Sequence, residues 1–330
     1  MVERALVTGA TGFLGGRLVL GLLERGWAVR AMIRKDSASL PSQVERAHAD
    51  LTVDDGAVER AVESCDVVFH CAGVVGDRVT WDLGRAVNVE GTRRVARAAK
   101  DRARAFVHVS SVAVYGFDAG TFDERAPRRT VGEPYIDTKT AGEEACEAEL
   151  AASTTALRIL RPSIIYGPGD TGMLPRLIDL LRNRVPMIGD GGAPVGLVHV
   201  SDVVGGLLAA AAHEGDSCVF NVAGAPDEDV TWKELVDMLC ERLCLPQPRT
   251  MPLGMATVAA RAMHLFQKVG LISSPPLTPF AVRFLTETRR YPIARMRLEL
   301  GVAPRVKVHA GLGLALDRFA SALEPTPALV

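Results

Sequence analysis

The sequence predicts an α/β fold organised around a doubly wound parallel sheet, with a smaller, mostly helical C-terminal cap. Three observations carry this expectation. A glycine-spaced turn, Thr8-Gly-Ala-Thr-Gly-Phe-Leu-Gly15, separates the apolar run Ala5-Leu6-Val7 from a segment, Arg17 to Arg25, whose Leu18, Leu22 and Leu23 fall at helical spacing. Short apolar runs of strand length then alternate with helical patterns as far as residue 225, as parallel βαβ units require. From Thr231 onward, helices alternate with proline-rich joints instead.

The first of these stretches reads as strand, tight turn and helix. Gly9 permits the turn, Gly12 lets backbone approach a pyrophosphate, and Gly15 lets the helix pack close to the strand. Phosphates would then face the helix N-terminus, where unpaired N–H groups point. Thr11, Phe13 and Leu14 complete this expected dinucleotide cradle. The second strand, Ala28 to Ile33, ends in Arg34-Lys35. An acidic residue about 20 positions past the glycines binds ribose hydroxyls, whereas an arginine there accommodates a 2′-phosphate. Arg34 therefore favours NADP, with NAD possible.

Ala47 to Leu51 is expected as the third strand, with Asp50 and Leu51 at its tip beside the adenine. Asp66 to Gly73 is the fourth, and its terminal Ala72-Gly73 leaves a cofactor room. His70 has apolar neighbours and reads as a core histidine rather than a catalyst. Asn88 opens a helix expected to run through Lys100; it either steadies backbone near the site, where it counts among the cofactor-binding candidates, or caps that helix.

The fifth strand, Phe106 to Ser111, brings hydroxyls to the carboxyl edge of the sheet, where open α/β sheets bind ligands. Tyr135-Ile-Asp-Thr-Lys139 leads into a helix that continues through Leu150. Four-residue spacing puts the phenol and the ammonium on one face. A phenol with a pKa near 10 exchanges protons poorly at neutral pH, and a nearby cation favours its phenolate. Ser111, Tyr135 and Lys139 are thus the catalytic candidates.

With these residues the chain resembles the extended short-chain dehydrogenase/reductase superfamily. The resemblance rests on Thr8 to Gly15, Asp66 to Gly73, Asn88 to Thr92, Ser110 to Gly116, Tyr135 to Lys139 and Arg161 to Asp170. It implies a seven-stranded Rossmann sheet, Tyr135 as general acid or base, Lys139 bonded to the nicotinamide ribose and Ser111 holding the substrate oxygen. It also places Tyr135, Lys139, Pro162 and Ile164 against the cofactor, since the nicotinamide amide meets backbone after strand six, Thr155 to Leu160. In this superfamily the helices beginning at Asn88 and Tyr135 often form a twofold four-helix bundle. A homodimer through Val95, Ala98, Ala99, Ala141, Ala145 and Ala148 is expected on that ground.

The resemblance divides the chain into a Rossmann part, 1–168 and 196–225, and a substrate cap, 169–195 and 226–330. Expected helices are Met173 to Arg184, Ser201 to Ala212, Thr231 to Leu243, Thr257 to Val269, Pro279 to Thr286, Ile293 to Leu300 and His309 to Leu323, with a last strand at Phe220 to Ala223. Nucleotide-sugar epimerases resemble R-P-x-N-V-Y-G-P and G-D-G-x-x-x-R-D-F, whose Asn and Arg clamp a diphosphate. This chain has Ile164 at the first position, and Gly189-Asp-Gly191 is followed by Val195-Gly196-Leu197 at the second. The sugar-like Val114-Tyr115-Gly116 remains. Pro276 to Pro279, Ile293 to Gly301 and Pro304 to Val306 look instead like the 3β-hydroxysteroid dehydrogenase branch, with its sterol-4-carboxylate dehydrogenase and 2-alkyl-3-oxoalkanoate reductase relatives. The apolar stretch Met251 to Leu271 reads as a packed helix, a dry lid over the substrate or a peripheral membrane contact.

A chain of 330 residues with net charge -1 gives no ground for a nucleic-acid partner. Its six scattered cysteines read as reduced, buried thiols, and no metal set is expected. Without a signal peptide ahead of the first strand or an apolar run of about 18 residues, a cytoplasmic location is expected. The function implied is hydride transfer between NADP or NAD and an apolar alcohol or ketone, a 3β-hydroxysteroid or a β-keto acid. The alternatives are a nucleotide-sugar epimerase or dehydratase and a non-catalytic NADP-binding sensor.

Overall fold

Seven strands pair in parallel at the centre of the computed structural model, which describes residues 2–53, 56–76, 79–225, 228–268, 271 and 277–323. They are β1 (Arg4–Thr8), β2 (Ala28–Ile33), β3 (Glu45–His48), β4 (Val67–His70), β5 (Ala105–Val109), β6 (Ala156–Pro162) and β7 (Cys218–Val222). In space the order is β7, β6, β5, β4, β1, β2, β3, so the direction of winding reverses between β1 and β4. That reversal opens a crevice at the carboxyl ends of these two strands.

Both faces of the sheet are covered, which is why its strands are apolar runs rather than alternating ones. Successive side chains still point to opposite faces. Ala5, Val7, Val67, Phe69 and Val107 pack beneath α1 (Phe13–Leu23) and α7 (Val200–Ala212). Leu6, Val68, Phe106 and Ile159 pack beneath α2 (Ala57–Val62), α4 (Thr92–Ala99) and α5 (Pro134–Leu150). A third core joins α6 (Met173–Arg182), α8 (Trp232–Arg242) and α12 (Val308–Leu323) through Leu174, Ile178, Leu235, Leu239, Leu312 and Leu316. α9 (Leu253–Lys268), α10 (Pro279–Thr286) and α11 (Ala294–Leu300) complete the C-terminal part.

Several boundaries differ from the expected ones. β3 starts two residues before Ala47 and ends before Asp50, because it is an edge strand whose polar Glu45 pairs with Arg30 of β2 at 2.8 Å. No apolar run marked it. α1 begins at Phe13, not Arg17, and Gly12 is its N-cap. The helix expected from Asn88 begins with α3 (Trp81–Gly84), capped by Thr80, and passes through a wide π turn, Arg85–Gly91, into α4. Asn88 therefore caps nothing. α9 starts four residues before Thr257, and its expected end at Val269, like Pro276, lies outside the described residues. The short parallel pair Ile164–Tyr166 with Leu197–His199 lies outside the main sheet.

Of the residues expected at a twofold interface, Ala141 is half-buried and Ala148 is exposed. Val95, Ala98, Ala99 and Ala145 are buried within one chain, where α4 packs on α5 and the sheet. These four offer no surface to a second copy. Cys244 is exposed, unlike the buried Cys65, Cys146, Cys218 and Cys240. Among the described residues, no helix is long and apolar enough to cross a membrane.

α5 approaches the π turn so closely that a Cβ at Gly142 would lie 2.5 Å from the Asn88 carbonyl oxygen. Alanine gains about 1 kcal/mol over glycine in helix propensity. Overpacking against backbone costs about 1 to 3 kcal/mol, and here it should win. Gly142→Ala is expected to lower the urea midpoint, and an unchanged or higher midpoint would refute this packing.

Candidate active site

The glycine turn at the end of β1 is built by close backbone approach. Gly9 has φ +66°, and a Cβ there would lie 2.7 Å from the Ala72 nitrogen. A Cβ on Gly15 would lie 2.2 Å from the Gly9 carbonyl oxygen, so α1 packs on the turn only because that side chain is missing. Gly12 caps α1 with no side-chain bond. The N–H groups of Phe13, Leu14 and Gly15 are consequently left without an intrahelical partner at the positive end of the helix. Thr11, Phe13, Arg17, Gly169 and Thr171 line the cleft beside them. This cradle fits a pyrophosphate, and a side chain at Gly9 or Gly15 would distort it by colliding with backbone.

Behind the turn, Thr8 Oγ1 accepts from the Ala72 N–H at 3.1 Å and meets His70 Nδ1 at 2.8 Å, while His70 Nε2 meets Thr92 Oγ1 at 2.9 Å. Burial pushes the His70 imidazole down to about 3. It is a neutral, satisfied core group holding the β4 end in place, as expected.

The catalytic candidates converge at the next strand end. Ser111 follows β5 and begins a 3-10 turn, Val112–Tyr115, where its Oγ accepts from the Ala113 N–H at 3.1 Å. Tyr135 lies in the first turn of α5, near Ser111. Burial raises the Tyr135 phenol, and the nearby Ser111 hydroxyl opposes the rise. Lys139 Nζ donates to the Val109 carbonyl at 2.6 Å, leaving two of its three donors free of that bond.

Asn88 closes the far side. Its Oδ1 accepts from the Val74 N–H at 2.8 Å, and its Nδ2 donates to the Val74 carbonyl at 3.0 Å and to Thr138 Oγ1 at 3.1 Å. It fixes the backbone just after Ala72-Gly73. A Cβ on Gly73 would lie 3.2 Å from Asn88 Oδ1 and 3.9 Å from Lys139 Nζ, so Gly73, Asn88 and Lys139 share one wall.

Beneath this wall is a buried charge network. Glu143, one turn after Lys139, accepts from Arg161 at 2.9 and 2.6 Å and from Arg128 at 3.1 Å. Arg161 also donates to the Tyr115 hydroxyl at 2.9 Å and stacks on its ring at 4.9 Å, and Tyr115 donates to Asn221 Oδ1 at 2.7 Å. Tyr115, the sugar-like signal in the sequence, is thus fully buried structure.

Arg34 and Asp50 form a separate group at the β2 and β3 ends. Arg34 is exposed, and its charge helps hold the Asp50 carboxyl low, after the bonds Asp50 accepts from Thr52 N and Oγ1 at 2.8 and 2.7 Å. Leu51 is buried beside them. Pro162 ends β6, buried. Ile164 donates its N–H to the Gly196 carbonyl at 3.1 Å and packs against the cap core.

Two features escaped sequence reasoning. Arg17 lines the cleft and donates to the Pro168 carbonyl at 2.6 Å; its place two residues past the glycine turn was the available signal. Phe117 packs edge-on against Phe280 at 4.3 Å and Phe284 at 5.8 Å, joining α10 to the Ser111–Gly116 segment. Nothing local in the sequence pairs these aromatics.

Comparison with known proteins follows the same lines. The NAD dependent epimerase/dehydratase family matches residues 5–223. The 4-hydroxy-2-methyl-3-oxo-4-farnesyl-3,4-dihydroquinoline-1-oxide ketoreductase of Stigmatella aurantiaca is 33% identical over 94% of each chain. The 2-alkyl-3-oxoalkanoate reductase of Stenotrophomonas maltophilia is 30% identical over 94% of this chain and 97% of its own. Among solved structures, MoeE5 in complex with UDP-glucuronic acid and NAD superposes with a TM-score of 0.77 at 26% identity, covering 97% of this chain and 100% of that one.

Burial holds the Lys139 ammonium down to about 8 from 10.5. The unfolded chain therefore binds more protons between these values, so stability rises with pH through that window and the full penalty is present below it. Lys139→Met is expected to raise unfolding free energy by about 2 kcal/mol at neutral pH, with the gain fading as the pH approaches 10.5. Urea titrations at both pH values measure it; an equal gain at each would show that the charge is not the cause.

Proposed function

Because the chain belongs to the NAD dependent epimerase/dehydratase family, we propose that it interconverts a secondary alcohol and a ketone on an apolar substrate, sterol-like or a β-keto acid, with NADP preferred over NAD. The protein is an NAD(P)-dependent oxidoreductase of the extended short-chain type. The names of the two reductase relatives, which act on a farnesylated quinoline oxide and on 2-alkyl-3-oxoalkanoates, support the substrate class.

The observation that carries this reading is the character of the two diphosphate-clamp positions. Ile164 packs on the cap core, and Val195 is buried within it. Neither has a charge or a side-chain donor to offer, and a diphosphate taken out of water without them is costly. Phe117, Phe280 and Phe284 provide the dry wall an apolar skeleton needs, beside the segment that bears Ser111.

The nicotinamide cofactor, when bound, supplies or accepts the hydride. The N–H groups of Phe13, Leu14 and Gly15 would take its pyrophosphate, with Arg34 at the 2′-phosphate and the free donors of Lys139 on the ribose. In the direction of reduction, Tyr135 gives its proton to the substrate oxygen as negative charge develops there. Ser111 donates to the same oxygen. Asn88 keeps the Val74 backbone clear of the site.

Two experiments test this. Arg34→Asp should weaken NADPH binding by about 2 to 4 kcal/mol while sparing NADH, because a repulsion replaces a charge-assisted hydrogen bond to the 2′-phosphate. Equal wild-type affinity for the two cofactors would sink the NADP preference. Sterol-like ketones or β-keto acids should be turned over with NADPH and Tyr135→Phe should abolish turnover, with no calorimetric signal from UDP-glucose or UDP-galactose. Micromolar binding of either nucleotide sugar would put the epimerase reading first.

A further inference from the structure

Helix α9 carries its side chains in an inverted pattern. The face it turns inward is small: Ala256 and Ala260 are fully buried against Ile188 and Val282. The face it turns outward is large and apolar, with Met255, Val258, Leu265 and Phe266 at 61, 69, 59 and 45% exposure. With exposed Ala262, these residues recur at intervals of three and four, so they form one stripe along the helix. A helix that only packs on a water-soluble core is arranged the other way round. A contiguous exposed apolar stripe of this kind marks a contact.

The second observation is electrostatic and independent of the first. From Leu243 to Thr286 the sequence has no Asp or Glu, where the composition of the whole chain would place about five. Arg249, Arg261, Lys268 and Arg283 all fall in the same stretch. Arg261 is exposed three residues after Val258 and four before Leu265, on the flank of the stripe, with exposed His264 beside it. Among the described residues, Arg249 and Arg261 form no ion pair, whereas Arg283 is paired with Asp118.

We propose that α9 lies on an anionic lipid surface, with its apolar stripe at the acyl boundary and its cations among the headgroups. This is the chemistry of an interfacial amphipathic helix. A second copy of the chain fits the stripe less well. Twofold packing would set the cationic flanks near each other, with no carboxylate in the whole stretch to neutralise them. α9 packs on α10, so the docked surface lies one helix away from the Phe117, Phe280 and Phe284 wall. That proximity gives docking a use if the substrate is apolar, as proposed above, but docking itself does not require it.

Co-sedimentation of the protein with vesicles tests this, using phosphatidylcholine alone and phosphatidylcholine with phosphatidylglycerol as about a third of the lipid. The protein should pellet at least about tenfold more with the anionic vesicles and be released by salt. Combined Val258→Ser, Leu265→Ser and Phe266→Ser should abolish pelleting with no fall in the thermal midpoint, since these side chains are already in water. Arg261→Glu should weaken it about fivefold or more. Wild-type protein that ignores both vesicles, or a triple variant that pellets like wild type, overturns the proposal. So does a wild-type dimer that the triple variant dissociates while vesicles go unbound, because the stripe would then belong to a second copy. Pelleting is read without substrate or cofactor, so failure of the catalytic reading would not register in it.

Discussion

The buried carboxylate of Glu143 is the constraint on which the geometry of the site depends. A charge with no exposure is tolerable only when paired and hydrogen-bonded, and Glu143 takes both bonds of the Arg161 fork plus one from Arg128. Arg161 in turn holds Tyr115, which holds Asn221, so one network ties α5, the end of β6, the turn after Ser111 and β7. Lys139 sits one turn before Glu143, and the same carboxylate acts to keep its ammonium charged against the pull of burial. Removing a partner would leave an uncompensated buried charge beneath the catalytic helix.

Close approach of backbone is the second constraint. At Gly9, Gly15 and Gly142 the neighbouring atoms are main-chain atoms that have no rotamer to give. The π turn at Arg85–Gly91 belongs to the same logic: it carries Asn88 to where one amide satisfies both polar groups of Val74. Such wide turns recur at functional sites because they re-aim a side chain within an otherwise regular helix.

The C-terminal part differs in kind from the sheet. Its core takes in Ile164 and Val195, and helix α9 puts alanine inside and leucine and phenylalanine outside. The fold superposes over nearly the whole chain on MoeE5, whose structure holds UDP-glucuronic acid and NAD. Fold is shared across such proteins; recognition resides in the side chains set on it.

The sequence by itself determined the alternation of buried strands with helices, the glycine turn and the placing of Tyr135 and Lys139 on one face of a helix, because each leaves a local trace: an apolar run, a fixed glycine spacing, or an i, i+4 pair. It also showed His70 as a core residue from its apolar neighbours alone. Only the tertiary structure decided that Val95, Ala98, Ala99 and Ala145 are buried inside one chain, since an apolar helix face looks the same in sequence whether its partner is a sheet or another subunit. It alone showed that Tyr115 is a buried strut. Those facts rest on contacts between residues far apart in the chain, such as Arg161 with Tyr115 and Tyr115 with Asn221. A linear pattern records which groups are present but not which of them will share a buried charge or hydrogen bond, and that pairing sets their chemistry.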